Sequence, residues 1–399
     1  MITESEALAK ILDAIPKNSA SESLPLLETL NRRCAAQLRA TIPLPGFDNS
    51  MMDGYAVRAE DTRDPAPIAV IGTQPAGPDL QLKIEAPRQA IRIFTGAPLP
   101  KGCDAVIMQE DVTVIDKTIS CTEPVIPGEN IRLLGSDLCS GQLLLQPGDL
   151  ITPGRIGLLA SQGLTHLPVY RLPRIAILST GDELVPPGTA PLLPGQLYNS
   201  NGSMIAALLL QLGLPVTELA HSPDSLADTT STLRRLSEQN NIIILSGGVS
   251  VGDKDHVKPA LSELGMPPQL WRIKIKPGKP FLFTHRSIPK PLFIFGLPGN
   301  PVSTFVTFQL FVRPALLKWC GTPSSDLSPP SASATLTHDL NNPGDRPHYI
   351  RGVLQKGQFT TSGLQRSDAL FALSEANSLL RINPDSSIKS GNKVTIMKL

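Results

Sequence analysis

The sequence predicts a multi-domain α/β plus β protein built around a doubly wound, mostly parallel sheet. Three observations carry that expectation. The chain has 399 residues, more than one compact domain ordinarily uses. Between 173 and about 320, continuous apolar runs alternate with helical stretches, the pattern of parallel strands covered on both faces. On either side of that region the sequence changes to short strands separated by turn residues.

Composition narrows the class further. A hydrophobic fraction of 41% supports real cores and excludes a wholly disordered chain. The 36 Lys and Arg almost balance the 35 Asp and Glu, leaving +1, so neither nucleic acid nor an anionic membrane is expected as a partner. The 39 prolines and 31 glycines have no Gly-X-Y period and indicate loops rather than collagen. The N-terminal MITESEALAKIL lacks the basic and apolar regions of a secretory signal. No apolar run approaches the roughly 20 residues of a membrane span. Five cysteines, an odd number without a CxxC pair, argue against a disulfide framework or zinc site, and a cytoplasmic setting is expected.

The elements follow in order. Thr3 and Glu6 form a capping box for a helix over 3–15, with Ala7, Leu8, Ile11, Leu12 and Ile15 on one stripe. A second helix is expected from Ser23, with Pro25 in its first turn, to about Arg39. From 46 to about 138 short strands (IAVIG, AIRIF, AVIMQ, VTVID, IRLLG) predict a small β-rich unit. Residues 139–170 hold a short helix and a strand. RIAILS then opens the α/β region. It is followed by a helix in GSMIAALLLQLG, the strand VTELA, a helix from Ser225 to about Gln239, NIIILS, and a helix from about His256 to Leu264. WRIKI, PFLFT and LFIFG are expected strands, and PVSTFVTFQLFVRPALLKW an apolar helix. SPPSASAT at 328–335 reads as a linker by composition, and the short strands of 336–399 as a small β-barrel or sandwich.

In an open parallel sheet, ligands bind beyond the carboxyl ends of the strands. Three polar loops fall there: STGDEL (179–184), SGGVSVGDKDH (246–256) and GLPGNP (296–301). Ser246, Gly247, Gly248 and Ser250 let backbone N–H groups approach an anion. Asn300 is a candidate N-cap with Pro301 at the first helical position. Asp182, Glu183, Asp253 and Asp255 bring four carboxylates to the same rim, where a bridging Mg²⁺ reconciles them with a phosphate; the alternative is helix caps and solvated loop charge. In WRIKIKPGKP, a strand would align Arg272, Lys274 and Lys276 on one face, and the Pro-Gly turn would present Lys276 and Lys279 to one oxyanion. The alternative there is an edge strand guarded by lysines. Asp53-Gly54 and Thr95-Gly96 read by themselves as tight turns.

Taken together, NSMMDGYAV, FTGAPLPKGCDAVIMQED, ENIRLLGSD, STGDELV, NSN, SGGVSVGDKD, KIKPGKP and GLPGNPVS resemble the molybdopterin molybdenumtransferase family, MoeA and the gephyrin E domain. The resemblance spans roughly residues 4–399. It implies a split N-terminal domain (1–45 and 139–172), an inserted β-rich domain (46–138), a molybdopterin-binding α/β domain (173–322) and a C-terminal β domain (323–399). It also implies a homodimer with a cleft shared between chains. The implied reaction turns adenylylated molybdopterin and molybdate into molybdenum cofactor and AMP, with Mg²⁺ as cofactor. Possible partners are a molybdopterin adenylyltransferase and molybdoenzyme maturation factors.

Carried onto this chain, the catalytic positions are Asp53, Thr95, Asp137, Glu183, Asp224, Lys276 and Lys279. Substrate binding falls to Arg132, Arg272, Pro298, Asn300, Pro301, Arg351 and Ser367, together with the Ser246–Ser250 loop. The metal ligands are Asp182, Glu183 and Asp255. Many relatives carry Lys where this chain has Arg272, replacing a point-like ammonium by a planar fork. Two rival readings share the fold: a molybdopterin adenylyltransferase, which the β insertion and C-terminal domain disfavour, and a non-catalytic scaffold, which the full set of carboxylates and lysines disfavours.

Overall fold

The apolar runs 175–180, 242–246 and 292–297 have no solvated face, and they form the centre of a six-stranded sheet. The structure, a computed structural model, describes residues 1–16, 20–249 and 255–399. Strand order is Val216–Ser222, Ile175–Thr180, Ile242–Ser246, Leu292–Leu297, Leu282–Arg286, Leu270–Trp271. The first four are parallel and the last two antiparallel. Successive side chains serve opposite layers, as strand geometry requires. Ile175, Ile177, Ile244, Phe293 and Phe295 pack towards helices Ser200–Gln211, Pro301–Thr307 and Arg313–Trp319. Ala176, Leu178, Ile243, Leu245 and Ile294 pack towards Leu226–Gln239 and Val257–Glu263. Helix Glu4–Ala14 carries the expected Thr3–Glu6 capping box and buries Ala7 and Ile11 in the first layer.

The chain divides into two compact units: Met1–Ala36, Pro147–Gly157 and Thr165–Leu399 in the larger, Gln37–Gln146 and Leu158–Leu164 in the smaller. The larger holds the α/β sheet and a closed barrel of Ser331–Leu336, Gln358–Thr361, His348–Gln355, Ser378–Ile382 and Lys393–Lys398. The smaller is built on a second six-stranded sheet that closes over Tyr55, Val57, Ile68, Ile107 and Ile119.

Four expectations are corrected. Residues 23–39 are not a helix. Ser21–Pro25 is a strand antiparallel to His166–Tyr170, followed by a 3₁₀ turn at Leu26–Thr29. A pairing partner more than 140 residues away overrides the local helical signal, and Leu27 is 78% exposed. WRIKI is a strand only at Leu270–Trp271, because Arg272 takes φ +65° and turns the chain out of the sheet. Arg272, Lys274 and Lys276 therefore do not share a strand face. IRLLG is a strand only at Ile131–Arg132. The supposed linker contains barrel strand Ser331–Leu336, whose Ala332, Ala334 and Leu336 point inward. Its small residues repeat with period two, a strand signal hidden by a linker-like composition.

Candidate active site

The loops at the carboxyl edge of the parallel strands enclose a cavity of about 1470 Å³ in the larger unit. Strand order sets its charge pattern. Glu183 and Asp224 follow the two strands at one end of the sheet, and Asp255 follows Ile242–Ser246. Lys276 and Lys279 precede the antiparallel strand Leu282–Arg286, whose start lies beside the end of Leu292–Leu297 because Leu282 pairs with Gly296. Carboxylates and ammonium groups thus enter the cavity from different ends of one sheet edge.

Each loop is held by local chemistry. Gly248 has φ +63°, and a Cβ there would sit 2.7 Å from Val257 Cγ2 and 2.8 Å from Thr180 Oγ1, so only glycine lets the chain turn this close to its neighbours. Ser246, Gly247 and Gly248 line the cavity; Ser250 and Asp253 lie outside the described residues. Pro298, Asn300, Pro301 and Ser367 also line it. Asn300 occupies the N-cap position, but its side chain makes no cap bond. Its Nδ2 instead donates to Ser367 Oγ at 3.0 Å, and Ser367 O accepts from Val302 N at 3.1 Å. The helix entry is thereby tied to a barrel loop. The Lys276 backbone joins the barrel too, donating to Pro347 O and accepting from Tyr349 N, both at 2.8 Å.

The Asp255 side chain is 7% exposed, and neither carboxylate oxygen has a hydrogen-bond donor among the described residues. Lys258 Nζ stands 3.6 Å from Oδ2, beyond hydrogen-bonding distance, and lies over the Trp271 ring at 3.7 Å. Burial pushes the Asp255 carboxyl up to about 6, with Lys258 opposing. Asp182 is exposed; its Oδ1 accepts from Asp224 N at 3.0 Å, and it does not line the cavity. Among the described residues no three metal-ligating side chains converge, so the trio Asp182, Glu183 and Asp255 does not form a closed cage. Mg²⁺ needs none. It is usually held by one or two carboxylates and completed by substrate phosphates and water, so the buried Asp255 carboxylate and Glu183, which lines the same cavity, fit it.

Two residues expected to bind substrate do not line the cavity. Arg272 stacks on Trp271, its guanidinium 4.0 Å from the ring centre, and does not line the cavity. Arg351 is 1% exposed. Its guanidinium donates to the carbonyls of Leu364 and Arg366, and Gln365 bonds its backbone from the other side. Arg351 therefore anchors the loop that carries Ser367. In the smaller unit, Asp53 Oδ1 accepts from both Thr95 N and Thr95 Oγ1 at 2.8 Å, which holds the carboxyl below its usual range. Arg132 and Asp137 are exposed there.

Sequence reasoning missed Arg346, His348, Gln365, Arg366 and Asp368, all barrel residues lining the cavity. Only the PHYIRG segment, a His before an Arg in a strand, offered a signal. Burial, with Lys276, Arg351 and Arg346 nearby, lowers the His348 imidazole to about 4 from 6.5. The unfolded chain therefore takes up this proton first as pH falls. The contribution is complete above pH 6.5 and is lost as pH falls towards 4, costing up to about 3 kcal/mol. His348→Asn is expected to flatten that acid limb in denaturant titrations of the larger unit; an unchanged limb would show that His348 is not its source.

Comparison with known proteins places this geometry. Residues 2–163 match the MoeA N-terminal region (domain I and II), 176–318 a probable molybdopterin binding domain, and 333–399 the MoeA C-terminal region (domain IV). A Haemophilus influenzae molybdopterin molybdenumtransferase is 38% identical over 99% of this chain and 98% of its own length. The chain belongs to the MoeA family. A Mycobacterium tuberculosis relative named molybdopterin molybdenumtransferase 2 is 37% identical over 91% of both chains. The MoeA crystal structure from Pyrococcus horikoshii superposes with a TM-score of 0.85 at 28% identity, covering all of both chains. The MoeA fold thus accounts for both the α/β sheet and the C-terminal barrel. No helix among the described residues is long and apolar enough to cross a membrane.

Proposed function

We propose that this chain is a molybdenum insertase, a transferase that converts adenylylated molybdopterin and molybdate to molybdenum cofactor and AMP with Mg²⁺. The observation that carries this reading is the single cavity into which carboxylates and lysines enter from different ends of the sheet edge. Such a site accommodates a cation and an oxyanion side by side. Glu183 and Asp255 would hold Mg²⁺, with Asp224 close by and Asp182 fixing the Asp224 backbone. When bound, Mg²⁺ supplies charge neutralisation at the phosphoanhydride.

The chain's own groups do the rest by position. Lys276 and Lys279 hold molybdate across their Pro-Gly turn, and the backbone bonds of Lys276 to the barrel fix that turn. The Gly247–Gly248 and Gly299–Asn300 loops keep their backbone free of side-chain bulk around the phosphate. No nucleophilic side chain is needed. The reading retains the homodimer implied by the family resemblance, with the exposed Asp53–Thr95 turn of one chain completing the cleft of its partner. It also retains the cytoplasmic setting and the four-part division into 1–45 with 139–172, 46–138, 173–322 and 323–399.

Glu183→Ala is expected to slow Mg²⁺- and molybdate-dependent AMP release about 10- to 100-fold with little change in stability, because Glu183 is exposed. AMP release at the normal rate from the folded variant would remove Glu183 from the metal site. Formation of adenylylated pterin from ATP and molybdopterin would instead favour the adenylyltransferase reading.

A further inference from the structure

Strand Gln89–Ile93 of the smaller unit carries a single charge, Arg92, and lies inside its sheet between Gly54–Val57 and Ile68–Gln74. Ile91 and Ile93 on either side are fully buried, so the pleat sends Arg92 to the opposite face. There its guanidinium lies 4.9 Å from the Tyr55 ring centre and 5.1 Å from that of Phe94, within cation–π range of both.

The polar end of Arg92 makes two directed bonds. Nη1 donates to Gly54 O at 3.2 Å, and Nη2 donates to Gln109 Oε1. Gln109 Nε2 donates to Glu110 Oε1, so the oxygen is the end of that amide facing the guanidinium. Gln109 N in turn donates to Asp53 O at 3.0 Å. These bonds close a ring through Asp53, Gln109, Arg92 and Gly54. Asp53 immediately precedes strand Gly54–Val57, outside the paired ladder, yet the carbonyls of Asp53 and Gly54 are both held.

The Asp53 side chain is fixed separately. Oδ1 takes both Thr95 donors, and Oδ2 accepts from no described residue. One carboxylate oxygen is therefore an anchor and the other is available. The two Thr95 bonds and, after them, the Arg92 charge hold this carboxyl below its usual range, which keeps it ionised. A planar fork with fixed spacing between its donors suits a clamp on two acceptors better than a flexible ammonium group would.

We infer that Arg92 is a positioning residue for Asp53, clamping Gly54 and Gln109 so that the free Asp53 oxygen faces bound substrate in one direction. The inference rests on the proposed function, in which the Asp53–Thr95 turn completes a cleft.

The test measures molybdate-dependent AMP release by Arg92→Met and Gln109→Met, each in the wild-type chain and in Asp53→Asn, with unfolding midpoints recorded alongside. Arg92→Met keeps an apolar stem beside Tyr55 and removes the fork. Gln109 is exposed, so Gln109→Met loses only side-chain bonds and decides the question where Arg92→Met does not fold. The expected result is a kcat lower by about 10-fold for Arg92→Met and about 3-fold for Gln109→Met, with KM for molybdate unchanged. In Asp53→Asn the same substitutions are expected to cost less than about 2-fold, because a residue acting through Asp53 has nothing further to lose. Equal losses in both backgrounds mark a purely structural role and overturn the inference, as does a wild-type rate from either folded variant. A wild-type rate from Asp53→Asn removes Asp53 from the site and the inference with it. Wild-type protein without molybdate-dependent AMP release overturns both the inference and the proposed function.

Discussion

Asp255→Asn is expected to abolish most metal-dependent turnover, by about 100-fold or more, while the protein becomes slightly more stable. The two effects have one cause. In the metal-free protein the carboxylate is enclosed, has no hydrogen-bond donor among the described residues and has the Lys258 ammonium group at 3.6 Å, so ionising it is unfavourable and its carboxyl is raised to about 6. Asparagine keeps the shape and removes the charge. A thermal midpoint higher by about 2–4 °C without Mg²⁺ is the expected size of relieving roughly 1 kcal/mol in a unit this large. The same substitution removes the enclosed anionic oxygen available to the cation. Mg²⁺-dependent AMP release at the wild-type rate would show that Asp255 is not a ligand. A lowered midpoint would show that the carboxylate has a stabilising partner.

Gly54→Ala is expected to destabilise the smaller unit by roughly 3 kcal/mol or more. Gly54 pairs with Met108 on one side and Ile93 on the other, and a Cβ there would lie 1.9 Å from Ile107 O and 2.9 Å from Ile107 C. Those are backbone atoms inside a paired strand and cannot swing aside. Asp53→Asn provides the contrast. It keeps one oxygen to accept from Thr95 and is expected to leave the unfolding transition almost unchanged while lowering activity. Denaturant titration of both variants checks the pair. A Gly54→Ala midpoint within about 0.5 kcal/mol of wild type would contradict the close approach. Within the MDGYA segment, the glycine serves packing and the aspartate holds Thr95.

Much of the site was legible in the sequence because its residues sit at strand ends. Apolar runs of four to six residues, each broken by a polar Gly-rich turn, located Glu183, Gly247, Gly248, Asp255 and the GLPGNP loop without any structure. The KPGKP turn likewise announced Lys276 and Lys279, although the strand drawn before it was wrong. The error came from reading period-two alternation in WRIKI and missing that Arg272 turns back to donate its N–H to Phe281 O. Arg272 and Arg351, which the resemblance placed against substrate, do not line the cavity and pack on an indole ring and on backbone carbonyls.

The sequence by itself determined what depends on neighbours a few residues away: the Thr3–Glu6 capping box, the alternation of strand and helix from 175 to 319, and the loops at strand ends. Tertiary structure alone decided what depends on distant partners. Ser21–Pro25 is a strand only because His166–Tyr170 lies beside it, and Ser331–Leu336 because the barrel closes around it. His348, Arg346 and Arg366 reach the cavity where the Lys276 backbone bonds to the barrel edge and Asn300 bonds Ser367 of the barrel loop. Local periodicity is written into each segment, whereas hydrogen-bond pairing and cavity lining depend on which segments the whole chain brings together.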